Sequence, residues 1–164
     1  MFKKEAGERQ PLDVNELVRD TLALLRSELI LKNVSAQLEL APSPPPVVGD
    51  RVELQQVLLN LVLNAADAMA SRNAGRHEVR IQTSVDGPHA VRVSVADRGS
   101  GLPAELLADT FAPFFTTKPH GMGMGLKISQ SIVEAHSGRL WAVNNPDQGA
   151  TFHFTLPVAK AGSA

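Results

Sequence analysis

A two-layer α/β sandwich is the fold this chain predicts, with about three helices packed on one face of a mixed, mostly antiparallel sheet. Three observations point there. Two long segments carry apolar residues at helical spacing, and a third resumes that spacing after a glycine-rich stretch. Five short segments alternate apolar and polar residues, as half-buried strands do. Turns join several of those strands directly, where a purely parallel sheet would need long crossovers. The 164 residues, 43% of them hydrophobic, can fill one core. One domain is expected over residues 11–158, between a leader at 1–10 and a small polar tail at 159–164.

Asp13 with Glu16 resembles a capping box. It opens a helix whose apolar face is Val14, Leu17, Val18, Leu22, Leu25 and Leu29, and Asn33 is expected to end it. Residues 34–40 alternate as a strand should. Residues 42–46 are a stiff proline-rich connector, too short for a polyproline ligand. Asp50 is placed to cap a second helix, from Arg51 to about Ala70. After a polar turn over 71–76, the alternating segments 78–86 and 90–96 flank Gly87-Pro88 and predict a hairpin. Residues 97–120 are loop-rich, with a short helical stretch near 104–109. A third long helix is expected from about Met124 to Ala135, stopped by Ser137-Gly138. Strands at 139–143 and 151–156 complete the sheet.

Composition excludes several function classes. The formal charge is −1 and no basic run carries interleaved aromatics, which argues against nucleic-acid binding. With no Cys there is neither a disulfide framework nor a thiolate metal site. The apolar run 57–69 is interrupted by Asn60, Asn64 and Asp67, so no membrane span and no membrane contact are expected. Residues 1–10 lack a signal-peptide core, making the cytoplasm the expected compartment. A domain cut from a membrane-anchored protein would read the same way. His77, His89, His136 and His153 have no metal spacing. Ser129 and Ser131 have no visible His or Asp partner for a hydrolase triad.

Three segments carry chemistry. On the second helix, Glu53, Gln56, Asn60, Asn64 and Asp67 fall within one stripe, flanked by Leu59 and Leu63. Buried Asn residues can serve a purely structural network. Two of them one turn apart between apolar neighbours favour a lined pocket, and amide oxygens suit Mg²⁺. Asp97 ends a strand and precedes Gly99 and Gly101. It can make an Asx-type turn, or accept from an exocyclic amine and so favour adenine over guanine. The segment 111–126, FAPFFTTKPHGMGMGL, runs from a Phe anchor (Phe111, Phe114, Phe115) through Thr116, Thr117, Lys118 and His120 to Gly121, Gly123 and Gly125. Glycines admit a bulky charged ligand, and the new helix offers unpaired N–H groups to an anion. This stretch looks built to hold polyphosphate. No Walker A pattern is present. A dinucleotide fingerprint would directly follow a strand and find an acidic residue about 20 positions on, where this chain has Asn144 and Asn145.

These residues resemble a known family. Residues 55–69 (QQVLLNLVLNAADAM) look like the N box of the Bergerat-fold ATPases, Asp97-x-Gly99-x-Gly101 like their G1 box, and 111–118 like the F box. Residues 121–126 resemble the G2 box and Gly149-Ala150-Thr151-Phe152 the final glycine box, all in the family's order. F-x-P-F-F-T-T-K with a short lid, then SIVEAHSGRLW at 131–141, is similar to bacterial sensor histidine kinases of the nitrogen-regulation and oxygen-sensing type. The resemblance implies the Bergerat fold, ATP and Mg²⁺ as cofactors, and γ-phosphoryl transfer to a histidine. Asn60 and Asn64 would hold Mg²⁺ and the phosphates, with Asn60 and Lys118 catalytic. Asp97 would bind the adenine amine, with Ala68, Gly99, Gly101, Leu102 and Leu126 around the base and Thr151 supporting the Asp97 corner. Thr116, Thr117, Gly121, Met122, Gly123, Met124 and Gly125 would form the lid over the triphosphate.

Two departures qualify the match. Many relatives carry a basic residue where Asp67 stands, so Asp67 is expected to face the adenine side or a cap instead. No H-[DE]-x-x-x-P acceptor pattern occurs, including at His77-Glu78. The chain is therefore expected to be the catalytic piece of a longer protein. Its partners would be a histidine-bearing dimerisation domain and the receiver domain of a response regulator. The rival reading is a nucleotide-gated interaction module, or a stand-alone serine kinase or weak ATPase of the same fold.

Overall fold

The computed structural model describes residues 9–70, 77–99 and 123–159. In chain order the elements are β1 (Gln10–Leu12), α1 (Val14–Leu31), β2 (Ser35–Glu39), β3 (Val47–Gly49), α2 (Arg51–Ala70), β4 (Glu78–Val85), β5 (Ala90–Ala96), α3 (Gly123–Ala135), β6 (Arg139–Asn144) and β7 (Ala150–Pro157). Five strands form one sheet in the order β2-β4-β5-β7-β6, parallel at β2–β4 and antiparallel elsewhere. The three helices cover one face of it, as the hydrophobic periodicities predict.

Register explains why only one face is covered. Ile81, Val95, Phe152 and Ala142 lie in one cross-strand row, and Thr83, Val93, Phe154 and Leu140 in the next. These rows meet the apolar sides of the helices: Leu17, Val18 and Leu25 of α1, Leu54, Leu58, Leu61 and Met69 of α2, and Leu126 and Val133 of α3 are all buried. Each fully buried aliphatic side chain contributes roughly 1.5–3 kcal/mol by leaving water. The alternate positions form the outer face, where Trp141 stacks on His153 at 5.2 Å between ring centroids. The Arg139 and Arg92 guanidinium carbons lie 4.6 and 5.1 Å from the Trp141 ring centroid.

The helix ends follow local chemistry. Asp13 Oδ1 accepts from the Asn15 N–H at 2.8 Å and caps α1. Asn33 takes the left-handed conformation (φ 61°) just past the end of that helix, and the Val34 N–H closes back on the Leu29 carbonyl at 2.9 Å. Asp50 Oδ1 accepts from the Glu53 N–H at 3.1 Å and caps α2. Ser137-Gly138 stops α3 as expected, with separate tasks for its two residues. Ser137 has the positive φ, 64°, while Gly138 sits where a Cβ would collide with the Thr155 carbonyl.

The periodicity did not predict the two-stranded β1–β3 sheet. Each strand is only three residues long, below the length at which alternation is visible. An isolated bridge from Val47 to Val158 ties this ribbon to the end of β7. Among the described residues no helix is long and apolar enough to cross a membrane.

Candidate functional site

α2 is the rail on which the site is built. Its buried side is the leucine row above. Asn60 and Asn64 lie on a different side, Asn60 half-buried and Asn64 only 8% exposed. Leu59 and Leu63 flank them and pack on the core. The amides therefore sit in an apolar frame facing the neighbouring helix.

Asn60 meets the first turn of α3. Its Nδ2 donates to the Gly125 carbonyl at 3.3 Å and to Ser129 Oγ at 3.1 Å. A backbone carbonyl can only accept, so the amide has one orientation, with Nδ2 toward α3 and Oδ1 turned away from it. Ser129 is fully buried at this contact. Among the described residues it has no nucleophile's partner, and it holds the Asn60 amide. A Cβ built on Gly125 would lie 3.7 Å from Asn60 Nδ2, an ordinary contact. Among the described residues, nothing in the packing requires glycine there. Leu126, the next residue, is buried in the core.

Asp97 closes the other end of the site. It follows β5 and is 4% exposed. Its N–H donates to the Ala150 carbonyl at 2.9 Å. Its Oδ1 accepts from the Gly99 N–H at 2.8 Å and the Ala150 N–H at 3.2 Å. The Asx-type turn uses Oδ1 and sets the plane of the carboxylate. The turn packs on the C-terminal end of α2: a Cβ on Gly99 would lie 2.6 Å from the Ala68 carbonyl. Gly99 therefore lets the strand end reach the helix, and half-buried Ala68 forms the wall it reaches.

Asn60, Asn64 and Ala68 lie at successive turns of α2. About 12 Å of helix separates the first from the last. Asp97 and Gly99 meet one end of this run, and Gly125 the other. The three segments that the sequence singled out converge on one helix. Gly101, Leu102, Thr116, Thr117, Lys118, His120, Gly121 and Met122 lie outside the described residues, as do the three Phe anchors and the expected helical stretch near 104–109. Gly123 and Met124 open α3.

Asp67 points elsewhere than expected, and Thr151 supports the Asp97 corner at one remove. Asp67 pairs with Lys32 Nζ at the end of α1, 3.4 Å away. It faces neither the Asp97 corner nor a cap. Thr151 pairs with Ala96 across β5–β7, in the row of the outer face, opposite to Val95 and Phe152. Among the described residues its hydroxyl is linked to Asp97 through Asn145. Asn145 Oδ1 accepts from Thr151 Oγ1 at 2.5 Å, and its Nδ2 donates to the Asp97 carbonyl at 3.0 Å. The sequence reading passed over Asn145 and Ser129. The available signal was the alternation of β7, which puts Thr151 and Phe152 on opposite faces and leaves Thr151 in need of a partner.

A one-sided α/β sandwich with amides, a carboxylate turn and a glycine-led helix converging on one rail defines a class of nucleotide-dependent ATPases. The chain belongs to the family of histidine kinase-, DNA gyrase B- and HSP90-like ATPases, which it matches over residues 49–160. Within that family its similarity is to sensor kinases. It is 41% identical to the sensor protein FixL of Bradyrhizobium diazoefficiens, over 93% of this chain and 30% of that protein. The catalytic domain of histidine kinase ThkA, solved nucleotide-free, is 34% identical with a TM-score of 0.80, covering 93% of this chain and 99% of that one. ThkA solved with the response regulator protein TrrA matches with a TM-score of 0.77 at 32% identity, over 92% of this chain and 42% of that one. Full-length ShkA in complex with AMPPNP matches with a TM-score of 0.80 at 30% identity, over 95% of this chain and 33% of that one. The chain thus spans less than a third of the curated relatives it matches first.

Proposed function

We propose that this chain is the ATP-binding catalytic domain of a two-component sensor histidine kinase. It binds Mg²⁺·ATP and delivers the γ-phosphoryl group to a histidine on a separate dimerisation domain. That histidine then passes the phosphoryl group to an aspartate on a response-regulator receiver domain. The observation that carries this reading is the convergence of Asn60, Asp97 and Gly125 on α2, in a chain that matches histidine kinase catalytic domains along its length. The nucleotide and the receiver domain make the cytoplasm its compartment.

Each residue has a physical task. Asp97, as an acceptor, selects the exocyclic amine of adenine. Leu126 and Ala68 offer apolar surface to the base. Gly125 leaves open the space in front of Asn60 for phosphate oxygens, close to the N-terminus of α3, whose unpaired N–H groups favour anions. Lys118 supplies a positive charge, and the lid glycines a close backbone approach, to the triphosphate.

The donor set fits Mg²⁺ arriving with its substrate. Asn60 presents Oδ1 rather than Nδ2, because the carbonyl of Gly125 fixes the amide. Asn64 lies one turn away along the same face. Among the described residues no cluster of three His, Cys, Asp or Glu could hold a metal unaided. Amide oxygens and the triphosphate together suit an ion that keeps oxygen ligands and several waters. When bound, Mg²⁺ neutralises charge on the β- and γ-phosphates. The rest of the catalytic work is positioning, and phosphoryl transfer asks little more of a protein.

The test is to mix this domain with a histidine-bearing dimerisation helix pair and labelled ATP. Acid-labile label on the histidine supports the reading. Label on serine, or none although ATP binds, overturns it.

A further inference from the structure

We infer that Asn145, in the β6–β7 turn, is the positioning residue that sets the nucleobase selectivity of Asp97, and that Thr151 acts only through it. The inference deepens the reading of Asp97 as the adenine-facing carboxylate and rests on it.

The backbone N–H and both side-chain polar atoms of Asn145 are engaged. Its backbone N–H donates to the Gly149 carbonyl at 2.9 Å. Nδ2 donates to the Gln148 carbonyl at 2.9 Å and to the Asp97 carbonyl at 3.0 Å. Oδ1 accepts from Thr151 Oγ1. Both partners of Nδ2 are carbonyls and can only accept, so the amide cannot turn over and the hydroxyl of Thr151 must be the donor. Asparagine is the side chain that fits: aspartate would set an acceptor against two carbonyls, and serine is too short to span them.

These bonds weld two segments distant in sequence. Asp97 ends β5, and Asn145 opens the turn that returns the chain to the same corner. Gly149 completes the weld with φ 86°, its Cα so close to Asp97 that an added Cβ would overlap the Asp97 carbonyl. The backbone of Asp97 is thus held on its N–H side by β7 and on its carbonyl side by Asn145. With Oδ1 bound to two amides, the direction of the carboxylate follows that of the backbone. Choosing an amine over a carbonyl at one ring edge depends on that direction, because a misaligned hydrogen bond loses most of its strength. Freeing the Asp97 carbonyl therefore weakens discrimination at the base and leaves the phosphate end, at Asn60 and Gly125, as it was.

The experiment measures affinity for ATP and for ITP, in which a carbonyl replaces the amine, with and without Mg²⁺. It uses the wild type, Asn145→Ala, Thr151→Val, Thr151→Ser and Asp97→Asn. Asn145→Ala is expected to lower the preference for ATP over ITP about tenfold, the scale of one or two lost hydrogen bonds. Thr151→Val should lower it about threefold, a readout that survives if Asn145→Ala does not fold, and Thr151→Ser should restore it. Mg²⁺ should strengthen binding in these three variants as in the wild type. If Asp97→Asn alters the preference while Asn145→Ala and Thr151→Val weaken both nucleotides equally, Asn145 is merely structural and the inference falls. If Asp97→Asn leaves the preference unchanged, the adenine assignment itself falls and takes the inference with it.

Discussion

The two ends of the site are built on opposite terms. At the Asp97 corner, the protein fills its own space. Gly99 is small because the Ala68 carbonyl lies against it, and Gly149 because Asp97 does. At the α2–α3 end, Gly125 is small although no atom of the described residues presses on it, the nearest being an Asn60 amide at ordinary contact distance. Glycines of similar motif character thus serve two masters. One kind holds the fold together where the base is to be read, and the other keeps room for a ligand.

Substitutions at these glycines should separate the two terms. The largest expected effect is at Gly149→Ala, where a positive φ and a collision with Asp97 combine. Strain and overpacking together should cost roughly 2–5 kcal/mol, seen as a lowered urea midpoint even without nucleotide. An unchanged midpoint would mean that the corner is looser than its contacts imply. Gly125→Ala should do the reverse. Its stability should be unchanged or raised by up to about 1 kcal/mol, since alanine favours helix, while calorimetric ATP affinity falls severalfold or more. Full ATP affinity in Gly125→Ala would erase the contrast between the two ends.

Smaller effects mark what lies outside the site. Asp67→Asn breaks a partly exposed ion pair with Lys32 and should cost no more than about 1 kcal/mol. Its ATP affinity should match the wild type. A marked loss of affinity would return Asp67 to the nucleotide side. On the outer face, partial burial and the neighbouring Arg92 charge both lower the pKa of His153 below its ordinary 6.5. The unfolded chain therefore binds a proton more readily than the fold. The contribution of His153 is fully present above the unfolded value and is lost as pH falls through the lower, folded one. Urea midpoints taken from pH 7 to pH 5 should decline more in the wild type than in His153→Gln.

The contrast also accounts for what could be read in the sequence. Periodicity over 18–20 residues located α1 and α2, and Asn33 carried the signal of a left-handed cap. The polar stripe of α2 was legible because helical geometry maps spacing directly onto direction. Partners supplied by another element were not legible. Asp67 lies on the stripe, yet the end of α1 turns it into an ion pair. Ser129 lacked a visible partner because Asn60 comes from a different helix. Asn145 reads locally as a turn former, and the carbonyl it holds lies 48 residues away. At Ser137-Gly138 the stop was legible and the division of tasks was not, because only β7 reveals which of the two is crowded.

The most direct measurement is to titrate the isotope-labelled chain with Mg²⁺ and a non-hydrolysable ATP analogue while following backbone and side-chain amide resonances. The account predicts the largest shifts at Asn60, Asn64, Asp97, Gly99 and Gly125, with Trp141 and His153 on the outer face unmoved. Shifts gathered on the outer face, with those five still, would contradict it.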